Sequence, residues 1–394
     1  MSTAIITYGW CRNAYAAVRC LSRHNVKVIV GGPEKIMMAG CSRYAEETFT
    51  YPSPYTQPEQ FIRIVSEMAK RYDAQVYIPI HEEIIPVAKY RHLLPENLAI
   101  PISSYESIIT AHDKGLTMTH AESIGVPVPK TFQPKDIDDV SKLARGITYP
   151  VLIKLRRSNS AKGIFKVTNP EELKIKYREV VQAFDLHAES LPIIQAFIPG
   201  NVYAVSMLFN KGKMITKFTR KNIREKTYGG GTCTKCVSVI NRVLEDYAER
   251  MLASLNWHGV AMMEFKYDEH TGEGFLLEIN PRYHGTIDHD IACGIPTPYF
   301  HYLMDVNGDV DPLLEYRLGL TSRWILGDLI GMIDHLPKTN NRFDYLKQIL
   351  RFDEDNYMDL KRDDLMPFFV QAFYYLKKFI RTGSRNPADD GMLG

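Results

Sequence analysis

Leu277-Glu278-Ile279-Asn280-Pro281-Arg282 ends a run of residues that predicts a β-strand. Glu264 lies on the strand predicted just before it, and alternate residues of a strand share one face. Glu264, Glu278 and Asn280 can therefore project into one space. Carboxylate and amide oxygens are the ligands that magnesium prefers beside nucleotide phosphates. The pattern predicts a magnesium site, with Arg282 placed to hold a phosphate oxygen.

Glutamates at strand ends are, in most proteins, solvated residues or partners of nearby lysines, and the residues leave that alternative open. Apolar runs at 260–263 and 275–277 precede Glu264 and Glu278, which argues that both carboxylates are buried. A buried carboxylate is costly unless it is paired or bound to a metal. The pattern therefore favours a cation site over a solvated pair.

The composition is that of an ordinary soluble protein, with 394 residues, 45% apolar and 24% charged, which predicts two or three domains. The net charge of +2 excludes a basic nucleic-acid-binding signature, so we expect no nucleic-acid partner. The first residues run straight into a strand pattern, without the features of a leader. No apolar run approaches the ~20 residues of a membrane helix, and we therefore expect a cytoplasmic protein without a transmembrane segment.

Six cysteines are expected to be free thiols in a reducing cytoplasm. Cys233-Thr-Lys-Cys236 has the CxxC spacing, but no second pair that a zinc ribbon would need is visible. We therefore do not predict a zinc or redox site there.

The first part of the chain predicts an open parallel sheet, because residues 4–30 alternate as strand, helix and strand. Ligands of such sheets gather at the carboxyl ends of the strands. The turn Gly9 to Asn13 and residues 81–83, which follow two of the strands, are therefore expected to face a cleft.

Further strands and helices are predicted between residues 113 and 280. The predicted helices are 114–123, a helix from 170 and 242–255, and the predicted strands are 151–154, 164–167, 193–198, 202–209, 213–219, 259–267 and 274–279. Gly229 to Gly231 form a triple-glycine segment that either lets backbone approach a ligand closely or is a plain flexible loop.

With its motifs in this order, the chain resembles the ATP-grasp ligases, and among them the predicted carboligase branch of carboxylate–amine ligases. The signature is a Glu on one strand followed by Glu-x-Asn-Pro-Arg on the next, as at Glu264 and 278–282. The other matching motifs are Ser42-Arg-Tyr44, Asp113-Lys114, Gly125-Val-Pro-Val-Pro129, Pro150-Val-Leu-Ile-Lys154, Ile198-Pro-Gly200, Ala292-Cys-Gly294-Ile-Pro296 and Gly319 to Asp328.

The resemblance implies an α/β, ATP-grasp fold with two α+β lobes enclosing the nucleotide. The implied units are a Rossmann-like (preATP-grasp) domain at 1–110, a first lobe at 111–200, a second lobe with the metal site at 201–330, and a helical C-terminal extension and tail at 331–394.

Carried over to this sequence, the resemblance implies that Lys114 and Lys154 contact ATP phosphates. A lid loop, 156–163, would cover the phosphates and includes Lys162 and Gly163. The hinge strand that would bind the adenine edge is Gln195, Ala196, Phe197 and Ile198. The implied ligands of magnesium, or of manganese, are Glu264, Glu278 and Asn280.

Three positions depart from the family pattern. Gln195 stands where the hinge usually has Glu, and Asn201 stands where an acidic residue usually holds the ribose hydroxyls. Neutral hydrogen bonds from these two residues would have to replace that acid. His284 stands where many relatives carry an aromatic residue.

The implied chemistry is attack of a substrate carboxylate on the γ-phosphate of ATP, followed by displacement of phosphate by an amine. Positioning and charge neutralisation would be supplied by Lys154, Arg220 and Arg282. Candidate substrate residues are Glu82, Glu83, Arg220, Arg224 and His284, in addition to the turn at Gly9 to Asn13. The acidic and basic residues among them are explained equally well as charged side chains in contact with solvent.

Three other functions agree less well with the sequence. A nicotinamide-dependent oxidoreductase is disfavoured, because the first turn, Gly9-Trp10-Cys11-Arg12, lacks the G-x-G-x-x-G pattern. A different ATP-grasp reaction, such as that of a biotin-dependent carboxylase or a thioester-forming ligase, would need a carrier domain or a phosphohistidine, and neither is evident. A non-catalytic nucleotide-binding protein stays open because of the altered hinge.

The segment 366–381 places six aromatic residues beside Lys377, Lys378 and Arg381. A basic amphipathic helix of this kind can lie on a membrane surface. We expect instead that it docks on its own domain or on a second subunit, so a homo-oligomer is one prediction and peripheral membrane contact is the alternative.

Overall fold

The computed structural model describes residues 2–158 and 163–383. Lys162 of the predicted lid loop and residues 384–394 of the predicted tail lie outside the described residues. The N-terminal unit has strands β1 (Thr3–Ile6), β2 (Lys27–Gly32), β3 (Glu47–Thr50) and β4 (Val76–Ile78), and helices α1 (Arg12–Arg23), α2 (Pro58–Arg71) and α3 (Ile84–Lys89). A 3-10 helix follows at Arg91–Leu93.

The four N-terminal strands form a parallel sheet in the order β3-β2-β1-β4, which confirms the predicted Rossmann-like arrangement. Strands β1 and β4 are buried along their whole length, as expected for a parallel sheet covered on both faces. Helix α1 packs on the sheet through an apolar stripe that includes Ala14, Val18 and Leu21.

Two helices, α4 (Tyr105–His112) and α5 (Lys114–Ser123), connect this unit to the next sheet. That sheet has strands β5 (Thr131–Phe132), β6 (Val151–Lys154), β7 (Ile164–Val167) and β8 (Ile193–Ala196), with helices α6 (Ile137–Leu143) and α7 (Pro170–Ala183) and a 3-10 helix at Ala188–Ser190. The strands are antiparallel in the order β5-β8-β6-β7. β6 and β7 pair as the sequence predicted, and α6 and α7 share a core with them.

The largest sheet has seven strands in the order β13-β12-β9-β10-β11-β14-β15. They are β9 (Asn201–Asn210), β10 (Lys213–Thr227), β11 (Gly230–Ser238), β12 (Gly259–Tyr267), β13 (Gly274–Asn280), β14 (Thr321–Arg323) and β15 (Asn356–Tyr357). The helices of this part are α8 (Arg242–Ser254), α9 (Ile287–Ala292), α10 (Thr297–Asn307), α11 (Ile325–His335), α12 (Arg342–Leu350) and α13 (Met366–Thr382).

The glycine segment forms the turn of the hairpin between β10 and β11, and all three glycines line the cavity described below. Thr227 pairs with Gly230, and β10 continues to Thr227 instead of ending near residue 219. Three successive glycines there have positive φ, between 89° and 159°, which a residue with a side chain rarely adopts. β11 was not predicted, because its register shifts against β10 break the period of two on which a strand prediction depends.

The predicted division at 330/331 falls inside helix α11, and the extension is not purely helical. β15 pairs in parallel with β14, with Ser322 opposite Asn356, so residues beyond 331 add a strand to the large sheet. α11 is held to the sheet by the ion pair between Arg224 of β10 and Asp328, with a distance of 2.6 Å. The extension is therefore joined to the second lobe by a strand and by buried charges.

Helix α13 docks on the N-terminal unit with one face. Tyr374 stacks on Trp10 with ring centroids 5.5 Å apart, and Lys377 forms an ion pair with Glu34. This confirms part of the expectation that the segment docks on its own chain. Phe373 on the other face is 64% exposed and Ile380 is 74% exposed, so a second subunit or a lipid surface there stays a prediction.

No helix within the described ranges is both long enough and apolar enough to cross a bilayer.

Candidate active site

A cavity of about 900 Å³ lies between the two antiparallel sheets and the first turn of the N-terminal unit. That volume is within the range of pockets that bind small molecules. Its walls carry Lys154 and Gln195 from the smaller sheet, and Glu264 and Glu278 from the larger one. The turn between β1 and α1 adds Arg12.

Glu264 and Glu278 lie directly opposite each other on the paired strands β12 and β13. Asn280 is two residues further along β13, and all three line the cavity. Burial, together with the facing Glu278 charge, raises the pKa of Glu264 to about 7. Like charges directly opposite on neighbouring strands repel each other, so this arrangement needs positive charge nearby.

The donor set suits a divalent cation with oxygen ligands. Two facing carboxylates and an amide oxygen are the hard ligands that magnesium accepts, and a cation between the carboxylates would remove their repulsion. Within the described part of the chain no cluster of three or more His, Cys, Asp or Glu side chains is arranged around a metal position. The candidate site therefore consists of two carboxylates and one amide, with room for phosphate and water oxygens.

Two lysines bring positive charge to the same place. Lys114 begins helix α5, whose N-cap Asp113 accepts hydrogen bonds from the backbone of Gly115 and Leu116. Its Nζ lies 3.1 Å from Oε2 of Glu278. Burial raises the pKa of Glu278, but the Lys114 and Lys154 charges outweigh it and hold that pKa below its usual value. Helix α5 packs against β13, which is why a residue far away in sequence meets Glu278.

Lys154, at the end of β6, is buried and lines the cavity. Its Nζ donates to Oε1 of Gln195 at 2.6 Å, so the residue that replaces the usual hinge Glu holds the lysine. Burial lowers the pKa of Lys154 to about 8. A desolvated ammonium in a cavity lacks its water shell and interacts strongly with an anion.

The hinge residues Gln195, Ala196, Phe197 and Ile198 all line the cavity. The backbone N–H of Ala196 donates to Lys130 O at 2.9 Å, and that of Phe197 to Pro150 O at 3.2 Å. Among the described hydrogen bonds none uses the N–H of Ile198, so this group is the hinge donor available to a ligand.

Gly163 and Asn201 are placed outside the cavity wall. Gly163 accepts the backbone N–H of Leu155 at 3.1 Å and has a φ of 70°. Asn201 donates to Oε1 of Glu269 at 3.0 Å, and the neighbouring Val202 faces the cavity in its stead. The structure therefore does not bring Asn201 to the place where a ribose acid was expected.

Arg220 and Arg282 line the cavity with their side chains almost fully buried. Arg220 is 3% exposed, and its Nε has no hydrogen-bond partner among the described residues. Arg282 lies 3.5 Å from the carboxylate of Glu82. Both guanidinium groups therefore reach the cavity close to the paired glutamates.

Two of the candidate substrate residues have structural partners away from the cavity wall. Arg224 donates to both oxygens of Asp328, at 2.8 and 2.6 Å. A register shift between Asn222 and Arg224 interrupts the alternation of β10, so Arg224 does not share the site with Arg220. Glu83 accepts hydrogen bonds from Thr7 and from the backbone of Ile80 and His81, which occupies both carboxylate oxygens.

His284 lines the cavity beside Arg282. Its Nδ1 is hydrogen-bonded to the hydroxyl of Thr286 at 2.8 Å, and its Nε2 lies 3.2 Å from Asp290. These partners fix the orientation of the ring.

The cavity also contains residues that the sequence did not indicate. Trp324, Gln371 and Tyr375 line it from α13 and from the residue before α11. The turn at Gly9 to Asn13 was named as a candidate, but nothing in the pattern of residues 366–381 pointed to a cavity. Trp324, Gln371 and Tyr375 reach the cavity because parts of the chain distant in sequence pack together. No local spacing of residues predicts such packing.

Comparison with known proteins agrees with this geometry. Residues 111–286 match the family model of the ATP-grasp domain. Acetyl-CoA carboxylase 2 of Arabidopsis thaliana is 29% identical over 149 residues, which cover 34% of this chain and 6% of that protein. A D-alanine–D-alanine ligase of Fusobacterium nucleatum is 24% identical over 177 residues, which cover 43% of this chain and 55% of the ligase. This chain thus aligns with a small part of the first relative and with about half of the second.

The crystal structure of N5-carboxyaminoimidazole synthetase from Staphylococcus aureus complexed with ADP matches with a TM-score of 0.65. The identity is 18%, and the match covers 85% of this chain and 86% of that one, so it shows a common fold. The ATP-grasp fold that the sequence predicted is confirmed. Residues 111–286 therefore form an ATP-grasp domain.

Proposed function

We propose that the chain is an ATP-dependent ligase that activates a substrate carboxylate as an acyl phosphate and couples it to an amine. The observation that carries the proposal is one cavity shared by a buried lysine, facing glutamates and two buried arginines. A protein that only held a nucleotide would need the lysine and the carboxylates. Arg220, the buried arginine that the nucleotide phosphates would not need, would supply charge for a second anionic reactant.

The proposed reaction needs positioning and charge neutralisation more than covalent chemistry by the protein. The substrate carboxylate attacks the γ-phosphate of ATP, which gives an acyl phosphate and ADP. The amine then attacks the acyl carbon, phosphate leaves, and an amide forms with loss of a proton from the nitrogen. Lys154 and Arg282 would bind phosphate oxygens, and Arg220 would orient the carboxylate that attacks.

Glu264, Glu278 and Asn280 would hold magnesium or manganese, which would neutralise phosphate charge when bound. At the other end of the nucleotide, the N–H of Ile198 would donate to the adenine edge. The side chain of Gln195 would fix the position of Lys154 by accepting its hydrogen bond. We propose no ribose role for Asn201, whose amide is engaged by Glu269.

The proposal is tested by measuring ADP release with ATP and magnesium over a panel of carboxylates and amines, including amino acids, dipeptides and polyamines. We expect ADP release to require both an acid and an amine. Hydroxylamine in place of the amine should trap the acyl phosphate as a hydroxamate. If no acid–amine pair stimulates ADP release, a non-catalytic nucleotide-binding protein becomes the better account.

Carboxylation of a nitrogen is a second candidate function, favoured by the carboxylases among the relatives. It is the same activation with bicarbonate as the acid. Bicarbonate-dependent ADP release, without stimulation by any organic acid in the panel, would support it and would contradict the amide-forming ligase.

Replacing Lys154 by methionine should lower kcat/KM for ATP by about 10²-fold, because a desolvated cation that contacts phosphate is lost. Steady-state ADP release at saturating acid and amine measures the effect. Lys176→Met on α7 is the matched control, since Lys176 is an exposed residue that forms a surface ion pair with Glu179. Equal activity of the two variants would contradict the assignment of Lys154 to a phosphate.

A further inference from the structure

One part of the cavity is lined by the first turn of α1 and by the C-terminal extension. Arg12 lies there beside Trp324, Gln371 and Tyr375. None of these residues is used by the phosphate chemistry proposed above. This part of the cavity is called the extension subsite below.

Arg12 is a buried guanidinium with incomplete hydrogen bonding. It is 8% exposed, and it stacks over the ring of Trp324 with its Cζ 3.7 Å from the centroid. Its Nε donates to the carbonyl of Gly285 at 2.5 Å, while Nη2 has no hydrogen-bond partner in the described part of the chain. A buried charge in this condition is unfavourable unless a counter-ion is supplied.

The described residues do not supply that counter-ion directly. The charge of Asp359 favours the charged form of Arg12 electrostatically. Its oxygens, however, accept the backbone N–H groups of Ile325 and Leu326 at 3.0 and 2.9 Å. The forked guanidinium of Arg12, which matches the geometry of a carboxylate, therefore keeps one donor group available.

A second unpaired polar atom lies in the same subsite. Gln371 is 1% exposed, lines the cavity and has no partner for its Oε1 among the described residues. The aromatic rings of Trp324 and Tyr375 form apolar wall around it. A buried amide oxygen and a buried guanidinium that line the same cavity suit a ligand that carries both a carboxylate and a hydrogen-bond donor.

We propose that Arg12 binds the free carboxylate end of the amine substrate and that Oε1 of Gln371 accepts a hydrogen bond from a donor group of the same substrate, so that the substrate is an amino acid or a peptide and not a simple amine or polyamine. This rests on the proposed ligase function. The carboxylate bound by Arg12 is distinct from the one that is activated, which Arg220 would orient beside the paired glutamates. The C-terminal extension thereby determines which amine is accepted.

Binding and turnover are tested separately, so that the subsite can be judged even if the ligase proposal fails. Thermal shifts are measured with each of the twenty standard L-amino acids and with the matching amino-acid amides, which lack the carboxylate. We expect the native protein to be stabilised more by at least one amino acid than by its amide. No such preference in the native protein would overturn the subsite.

Arg12→Gln should abolish that preference and lower kcat/KM for the amino acid by about 10- to 100-fold, while KM for ATP stays unchanged. Its Tm should be equal to or above that of the native protein, because an unpaired buried charge is removed. A fall in Tm with the carboxylate preference intact would show that Arg12 has a structural role only.

Gly285→Ala tests the same subsite without removing the charge. A Cβ at this position would lie 2.3 Å from Nη2 of Arg12, so the guanidinium must move. The preference for the amino acid over its amide should fall as in Arg12→Gln. Arg23→Gln on the same helix is the charge-matched control, because Arg23 is 55% exposed and pairs only at the surface with Asp363 among the described residues.

Loss of the ADP-release activity across the whole panel, with the binding preference retained, would remove the ligase proposal and leave the carboxylate subsite. If Arg12→Gln instead loses activity with a dicarboxylic acid substrate while its amine preference does not change, Arg12 binds the acid substrate. That result would overturn the inference.

Discussion

Replacing Glu278 by glutamine should lower ATP turnover by about 10³-fold and raise the magnesium concentration needed for half-maximal rate. Glu278 faces Glu264 across β12 and β13 and lies 3.1 Å from Lys114. The change removes one of two carboxylates that would hold the cation, and a neutral amide binds magnesium far less strongly. ADP release over a magnesium titration, at saturating acid and amine, measures both effects.

The matched control is Glu273→Gln. Glu273 is an exposed residue in the turn between the same two strands, so the variant changes the charge of the hairpin without reaching the cavity. We expect its turnover and its magnesium dependence to equal those of the native protein. Undiminished turnover in Glu278→Gln would refute the metal assignment, whatever the substrates prove to be.

Replacing Asp328 by asparagine should lower the free energy of unfolding by about 3–5 kcal/mol. Asp328 is 2% exposed and accepts hydrogen bonds from two arginines, Arg224 and Arg323. Arg323 is itself fully buried, so loss of the shared carboxylate charge leaves positive charge without its principal partner. Urea unfolding followed by circular dichroism, with a check that the transition is two-state, measures the change.

Asp246→Asn is the control for Asp328→Asn. Asp246 forms an ion pair with Arg250 at the surface of α8, with side chains 62% and 42% exposed. Exposed pairs contribute less than about 1 kcal/mol, because water and salt screen them. A similar loss of stability in the two variants would show that the Asp328 cluster is not the anchor of the extension.

The same pair of variants decides the role of Arg224. If Arg224 is held by Asp328 for structural reasons, Asp328→Asn should leave the KM for acid and amine unchanged in the fraction that stays folded. A selective rise in one of these KM values would return Arg224 to the list of substrate residues.

The shared face of the candidate metal ligands could be predicted because strands have a period of two. Glu264, Glu278 and Asn280 needed only two neighbouring strands and their alternation to fall on one face, and the pairing of β12 with β13 shows that they do. Lys154 is similar, since it ends a predicted strand beside a polar loop. Such predictions need only the alternation of residues along a strand and the pairing of neighbouring strands.

The sequence predicted β10 only as far as residue 219, so it did not place Arg220 and Arg224 relative to each other. In the structure, the register shift between them separates Arg220 from the Arg224–Asp328 pair. A β-bulge depends on how the partner strand pairs, which the sequence of one strand does not show. β11 was not predicted because it begins with glycines and pairs irregularly with β10. Glu83 was a candidate substrate residue, but its carboxylate accepts hydrogen bonds from the backbone of its own turn. The sequence pattern does not reveal such bonds.

The parallel N-terminal sheet and the paired glutamates follow from residues that are close in sequence or on adjacent strands. Periodicity, turn residues and apolar runs are properties of short segments, so the chain alone was enough to predict them. The ion pair of Lys114 with Glu278 and the burial of Arg12 against Trp324 join residues more than 150 positions apart. These contacts arise because α5 packs on β13 and because the residue before α11 packs on the first turn of α1. Contacts between residues so far apart produce no recognisable spacing in the sequence.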